Sequence, residues 1–410
     1  MKEWKKALVN HFRQGIKHNT LPRLGVELEH FIVCHDTKNA VSYYGEGGVR
    51  EILLGLMSHY PHAIALEEAD LLGFSTDEFV ITLEPASQLE ISIFPMTSIS
   101  RISLVYDDLC KNLNTELLPY GYEFMTVGCQ PTSHVDDLPM IPKERYLLMD
   151  KYFVGTGNGG REMMRGTASL QVSIDYFSED DFRRKIQAAY YYSPILKMLT
   201  DSSRTFEGKT LKSFLKRTDI WRRVDKARTG IVPNIFKVDY CFSDYADYIG
   251  TVPPIFVLEG KTYRYTGDRT TESLYEKKPM TEKALSHILS MAFPDVRLKN
   301  YLELRMADSV SSYLMLAYCA LLKGLLYSDE GLSFAADGIR KNNLTEKDIL
   351  VAEDNLMTKG YDAIVYGQPL RKIATNMLSI AEGILTQEER DFLHPFAERI
   401  LHGKNDYTSH

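Results

Sequence analysis

Leu24-Gly-Val-Glu-Leu-Glu-His-Phe31 alternates in polarity, so an extended chain puts Glu27 and Glu29 on one side and Leu24, Val26 and Leu28 on the other. Three further stretches repeat this pattern. Ile81-Thr-Leu-Glu-Pro-Ala-Ser-Gln-Leu-Glu-Ile-Ser-Ile93 carries Glu84 before and Glu90 after a tight connection at Pro85, and reads as two strands. In Met164-Arg-Gly-Thr-Ala-Ser-Leu-Gln-Val-Ser-Ile-Asp175 the alternation is strict. Arg165, Thr167, Ser169, Gln171, Ser173 and Asp175 share one face, and Met164, Gly166, Ala168, Leu170, Val172 and Ile174 the other. Tyr301-Leu-Glu-Leu-Arg-Met306 sets Glu303 and Arg305 against Leu302, Leu304 and Met306.

One antiparallel sheet can hold all of these stretches, its apolar face packed on helices. Helical periodicity runs to about His18, then over Val49–Tyr60, Ser98–Leu117, Ser178–Leu199 and the apolar Tyr313–Tyr327. Strands and helices follow no regular βαβ rhythm, which predicts an α+β fold with an antiparallel sheet. Without repeats, low-complexity runs or an obvious linker, residues 1–410 read as one unit, mainly helical from about residue 310.

Each strand could simply turn its polar side to water, as antiparallel sheets often do. Solvent faces usually mix lysine with threonine and glutamate, however, and lysine is absent from all four stretches. Glu27, Glu29, Glu84, Glu90 and Glu303 on one surface repel one another unless cations neutralise them. Hard oxygen donors suit Mg²⁺ or Mn²⁺. Arg165 and Arg305 beside them suit carboxylate or phosphate. Acids for a metal and guanidiniums for anions are the equipment of phosphoryl transfer from ATP.

Composition narrows the remaining classes. A formal net charge of -7 over 410 residues argues against a broad basic surface for nucleic acid. The 5 cysteines are scattered without a CxxC pair, which offers no zinc site and suits a reducing cytoplasm. The longest apolar-rich stretch, Tyr313–Tyr327, is too short to span a bilayer, so no membrane partner is expected. Gly155-Thr-Gly-Asn-Gly-Gly160 lacks the Lys-Ser/Thr of a P-loop and reads as a mobile loop near the site. His30, His134 and His287 have no partner spacing and read as structural.

Five stretches, in order, resemble the glutamate–cysteine ligases of the plant and proteobacterial type: Gly25–Phe31, Thr82–Ser92, Met163–Tyr176, Ile220–Gly230 and Phe293–Ser309. The resemblance implies a glutamine-synthetase-like fold, a curved antiparallel sheet forming a funnel with ATP at one end and amino acids at the other. It also implies ATP-dependent joining of glutamate to cysteine through γ-glutamyl phosphate, with glutamate, cysteine or another amine, and ATP as small-molecule substrates. By motif position, Glu27, Glu29, Glu84, Glu90 and Glu303 are the implied metal ligands, with Gln171 as a further one. Arg165 is the implied grip on glutamate or the transferring phosphoryl, Arg228 a second anion site and Arg305 the stabiliser of the phosphoryl transition state. Arg228 could instead be a surface arginine, Arg297 either pairs locally or contacts ATP, and Trp221 is pocket wall or ordinary core. Ala86-Ser87, Arg223 and the Arg305–Val310 ending depart from the family pattern at positions where the resemblance implies acceptor recognition. A sister ligase for another amine, a guanidino-phosphoryl kinase and a non-catalytic nucleotide-binding relative remain alternatives.

Overall fold

The computed structural model describes residues 1–260 and 262–403. Among them, nine strands form one sheet, antiparallel at every pairing. Seven are β1 (Leu24–Cys34), β2 (Ile64–Glu67), β3 (Leu71–Ser75), β4 (Phe79–Leu83), β5 (Leu89–Met96), β6 (Tyr122–Met125) and β7 (Ser169–Ile174). The other two are Val296–Leu298 and Leu302–Asp308. From one edge the order is Val296–Leu298, Leu302–Asp308, β7, β1, β5, β4, β3, β2, with β6 paired to the end of β1. The alternating stretches therefore supply consecutive strands in the middle of the sheet.

Alternation decides which face is core. Leu24, Val26, Leu28, Leu170, Val172, Ile174, Leu302 and Leu304 are at most 1% exposed, so burial drives this face onto helices. Helices α1 (Glu3–Gln14) and α2 (Val49–Ser58) precede α3 (Ile99–Leu117), which packs against β5 and β6. Helices α4 (Glu144–Phe153), α5 (Gly160–Gly166), α6 (Glu179–Thr200) and α7 (Lys216–Arg222) follow, and α6 packs against the Leu302–Asp308 strand. The buried Ser312–Leu326 helix contacts the helix at Leu370–Ile384. His30 falls on the apolar side of β1 and is fully buried, its ring held by the Leu89 carbonyl at 3.0 Å and the Tyr106 hydroxyl at 2.8 Å. Burial pushes its pKa down to about 4, so it is a neutral core histidine.

Four strands escape the sequence reading, one of them the three-residue edge strand Val296–Leu298. β2 lies at a sheet edge with its residues mostly exposed, β6 covers only the far end of β1, and β3 is buried on nearly every residue. None of these last three presents the alternation that marks the others. The Met164–Asp175 stretch is also shorter as a strand than its pattern predicts. β7 starts at Ser169, and Met164 to Gly166 close the helical turn of α5.

The glycine loop at residues 155–160 is a packing device. A side chain at Gly157 would stand 2.2 Å from the Arg223 carbonyl oxygen, so the backbone here lies directly against the end of α7. At the turn between β4 and β5, Ser87 adopts φ +73, a left-handed conformation that glycine takes more readily. The turn is held by the Glu84 amide donating to the Gln88 carbonyl at 2.8 Å, by the Ser87 amide donating to the Glu84 carbonyl at 3.0 Å, and by the Gln88 side chain accepting from the Ala86 amide at 2.9 Å.

Candidate active site

The polar face of the sheet lines a cavity of about 520 Å³. β1 contributes Glu27 and Glu29, β5 Glu90, β7 Ser169 and Gln171, and the last strand Glu303 and Arg305. Glu84 enters from the β4–β5 turn. Strand register explains the convergence: Glu29 faces Glu90 across β1 and β5, and Glu27 faces Gln171 across β1 and β7. The pairing of Leu302–Asp308 with β7 shifts between Leu304 and Ala307, placing Arg305 in an irregularity of the kind that re-aims a side chain.

Six acids and six basic side chains line this cavity, so charge balances in sum but not in place. Glu303 collects three of the cations. Its carboxylate accepts from Arg297 Nε at 2.6 Å, Lys299 Nζ at 2.8 Å and Arg305 Nη1 at 3.0 Å. Burial alone would raise its pKa, but Arg297, Lys299 and Arg305 hold it well below the usual carboxylate range. Glu27, Glu29 and Glu90 fare differently. Burial, then the charge of Glu84, pushes Glu29 up to about 7. Burial together with Glu27, Glu84 and Glu29 pushes Glu90 well up, and burial together with Glu303 raises Glu27. Lys299, Arg305 and Arg297 only partly offset this for Glu27, and Arg217 only partly for Glu29.

Local bonds fix the acids without neutralising them. Glu29 accepts from the Ser169 amide at 2.8 Å and the Ser169 hydroxyl at 2.7 Å. Glu90 accepts from Thr82 Oγ1 at 2.9 Å and Glu84 from the Tyr146 hydroxyl at 2.9 Å. Gln171 bridges the two charge regions: its Nε2 donates to Glu29 at 3.3 Å and its Oε1 accepts from Arg305.

Several expectations need correction. Arg165 lies at the end of α5, off the sheet, and does not line the cavity. It is only 9% exposed, with Nη2 on Asp150 at 2.9 Å and Nη1 on the carbonyls of Leu138 at 3.1 Å and Val135 at 3.4 Å. It braces the segment between β6 and α5. Breaking a buried ion pair costs about 3 kcal/mol. Arg165→Ala is therefore expected to lower the melting temperature, measured by circular dichroism, while the KM for glutamate changes less than threefold.

Arg228 is neither a surface residue nor a cavity residue. It is 1% exposed, with Nε on Asp225 at 2.6 Å, Nη1 on the Met291 carbonyl at 3.0 Å and Nη2 on the Tyr152 hydroxyl at 2.7 Å. Glu303 and Gln171, expected as metal ligands, instead face guanidinium and ammonium groups. Arg297 pairs locally with Glu303 and also lines the cavity, and Trp221 forms part of its wall. Arg223 joins α7 to α5 through Glu162 at 2.6 Å, outside the cavity.

Arg217 is a cavity residue that sequence reading passed over. It is 5% exposed, lies 5.6 Å from the Trp221 ring, and donates to the carbonyls of Met306 and Arg305 at 3.3 Å each. Its Nε is buried and has no hydrogen-bond partner among the described residues. The available signal was its spacing, one helical turn before Trp221 on α7. Lys143 and Arg145, at the start of α4, also line the cavity.

The sequence profile of the glutamate-cysteine ligase family 2 (GCS2) matches residues 23–406. The chain belongs to this family. A chloroplastic glutamate–cysteine ligase of Medicago truncatula is 29% identical over 412 residues, spanning 97% of this chain and 80% of that protein. Chloroplastic glutamate–cysteine ligase A of Oryza sativa subsp. indica is 31% identical over 347 residues, covering 81% and 68% respectively. Among solved structures, a glutamate–cysteine ligase of Francisella tularensis in complex with AMP superposes with a TM-score of 0.54. It covers 94% of this chain and 82% of that one at 11% identity, a likeness of fold. The family's α+β architecture is thus the one seen here, with its antiparallel sheet at the cavity.

Proposed function

We propose that the chain is an ATP- and Mg²⁺-dependent ligase that joins the γ-carboxylate of glutamate to the amine of cysteine. The observation that carries this reading is the cavity in which Glu27, Glu29, Glu84 and Glu90 stand beside Arg305, in a chain of this family. The names of the relatives support cysteine as acceptor.

In the proposed reaction an oxygen of the glutamate γ-carboxylate attacks the γ-phosphorus of ATP, and the bond to ADP breaks. The amine nitrogen then attacks the acyl carbon of γ-glutamyl phosphate, the carbon–oxygen bond breaks, and phosphate and a proton leave. No protein nucleophile is needed. Arg305, held by Gln171 and Glu303, is the group poised to meet charge on the transferring phosphoryl. Glu303 acts as a positioning residue, aiming Arg297, Lys299 and Arg305 along the sheet. Arg297 and Lys299 are assigned to ATP phosphates. Arg217, with its free Nε and the Trp221 wall, is assigned to the glutamate α-carboxylate.

The donor chemistry fits Mg²⁺, with Mn²⁺ as substitute. Glu27, Glu29, Glu84 and Glu90 are hard oxygen donors, and burial together with neighbouring carboxylates raises the pKa of three of them. No three acidic, histidine or cysteine side chains among the described residues converge as a complete cation site. Mg²⁺ is usually held by one or two protein carboxylates, its shell completed by water and substrate phosphates. Bound there, it would neutralise the phosphates and the carboxylates together. The remaining acids would hold it without closing off the nucleotide.

The proposal treats residues 1–410 as one catalytic unit whose mainly helical C-terminal part supports the sheet. No helix of the described residues is long and apolar enough to cross a membrane. The plant relatives are named as chloroplastic, so a cytoplasmic location rests on the scattered free cysteines. Incubation with glutamate, cysteine and Mg-ATP, followed by mass spectrometry, is expected to yield γ-glutamylcysteine and ADP in equal amounts. A product with another amine but not cysteine would replace the acceptor. Phosphorylated guanidine without an amide would replace the reaction.

A further inference from the structure

Glu303 supplies a counter-ion to Arg297, Lys299 and Arg305, but the other three cations on the cavity wall have none. Lys143, Arg145 and Arg217 make no ion pair among the described residues. Arg145 spends one nitrogen on the Ser290 carbonyl at 3.0 Å. Lys143 Nζ sits 4.4 Å from the centre of the Tyr146 ring, and Tyr146 in turn holds Glu84. Burial pulls the Arg145 guanidinium below its ordinary pKa, only partly offset by Tyr146 and Glu84. An enclosed cation without a partner is costly, unless an anion from outside completes it.

Besides the reacting γ-carboxylate, the reaction brings three anionic groups to one site: the triphosphate, the glutamate α-carboxylate and, for an amino-acid acceptor, a second α-carboxylate. A separate recess of about 420 Å³, lined by Lys17, Arg23, Asp175 and Tyr301, shares Glu27 with the main cavity. The polar sheet face is therefore open beyond Glu27 as well as at Glu84. Lys299, Arg305 and Arg297 act on Glu27 between these two ends, where a triphosphate would run. Arg217 stands at Trp221. Lys143 and Arg145 stand near Glu84, where Arg297 also acts on Arg145, with Tyr263 and Glu68 lining the same cavity. Glu68 on that cavity wall provides the complementary charge for the α-ammonium of a zwitterion.

Resting on the ligase reading above, we infer that Lys143 and Arg145 bind the α-carboxylate of the acceptor, so that the enzyme selects amino acids over simple amines. The test compares L-cysteine with cysteamine, which has the same thiol and amine but no carboxylate. The native protein is expected to favour cysteine in kcat/KM by about 100-fold or more, because a site built for a charged group rejects the analogue lacking it. In Arg145→Met and Lys143→Met that ratio is expected to fall at least about tenfold, with the KM for cysteine rising more than that for ATP or glutamate. Arg145→Lys should recover part of the loss. Should Arg145→Met not fold, Lys143→Met carries the comparison. Equal use of cysteine and cysteamine by the native protein overturns the inference and leaves the ligase reading intact. A variant whose main change is in the KM for ATP or glutamate overturns it too, assigning these cations to that substrate. Amide from neither amine, nor from a wider amino-acid panel, sinks the ligase reading and the inference with it.

Discussion

Replacing Arg305 by methionine is expected to reduce kcat by about 10³-fold or more while the protein stays folded. The size follows from what the guanidinium does. It lines the cavity in the strand irregularity at Leu304–Ala307, bonded to Gln171 and Glu303, and in the proposed reaction it meets the charge on the moving phosphoryl. Single donors aimed at such charge contribute about 10² to 10³ in rate, and guanidiniums at phosphoryl groups about 10³ to 10⁵. Stability changes little, because Arg297 and Lys299 still neutralise Glu303. Coupled measurement of ADP release with circular dichroism separates the two effects. A rate within tenfold of native in a folded Arg305→Met protein would refute the role.

Glu29→Gln is expected to lose activity and gain stability at once. The side chain keeps its shape and an acceptor for Ser169, but it cannot become an anion. Its folded pKa, about 7, stands above the model-peptide value of 4.5. The native state therefore holds a proton that the unfolded chain releases, and native stability falls as pH rises from about 4.5 to 7. The variant has no such loss. Its advantage over the native protein should be small near pH 5 and grow to the order of 2 kcal/mol by pH 8, without ligand. Mg-ATP should reverse the order by stabilising only the native protein. Thermal melts at both pH values, with and without Mg-ATP, read both signs. A variant no more stable than native at pH 8 would show that Glu29 is not held against its neighbours' charge.

The middle of the sheet was legible because alternation is a strong signal when one face is wholly apolar. β1, β4, β5 and the last strand fell within one to three residues of their expected limits, and Glu27, Glu29, Glu84 and Glu90 converged on one cavity. Arg165 shows where the pattern misleads. Met164 to Gly166 alternate as well as any strand, but alternation over three residues also fits a turn of helix, and here α5 wins. Arg228 failed for another reason: proximity in a motif does not say which way a guanidinium points, and Asp225, three residues before it, captures this one. Arg217, Lys143 and Arg145 were missed because each sits on a short helix that folds over the sheet from elsewhere in the chain. Only the tertiary structure brings those cations to the acids. Glu303 and Gln171 were placed on the right face and given the wrong partners, since cross-strand register, invisible in sequence, sets Arg297 opposite Glu303.

The central claim is that the cavity passes a phosphoryl group to the γ-carboxylate of glutamate before the amide forms. It is tested most directly by following the carboxylate oxygen. With glutamate labelled by ¹⁸O in its γ-carboxylate, unlabelled Mg-ATP and cysteine, each turnover should move one labelled oxygen into the released phosphate. Mass spectrometry of that phosphate is expected to show one ¹⁸O per ADP formed. Amide formed with unlabelled phosphate would contradict the account.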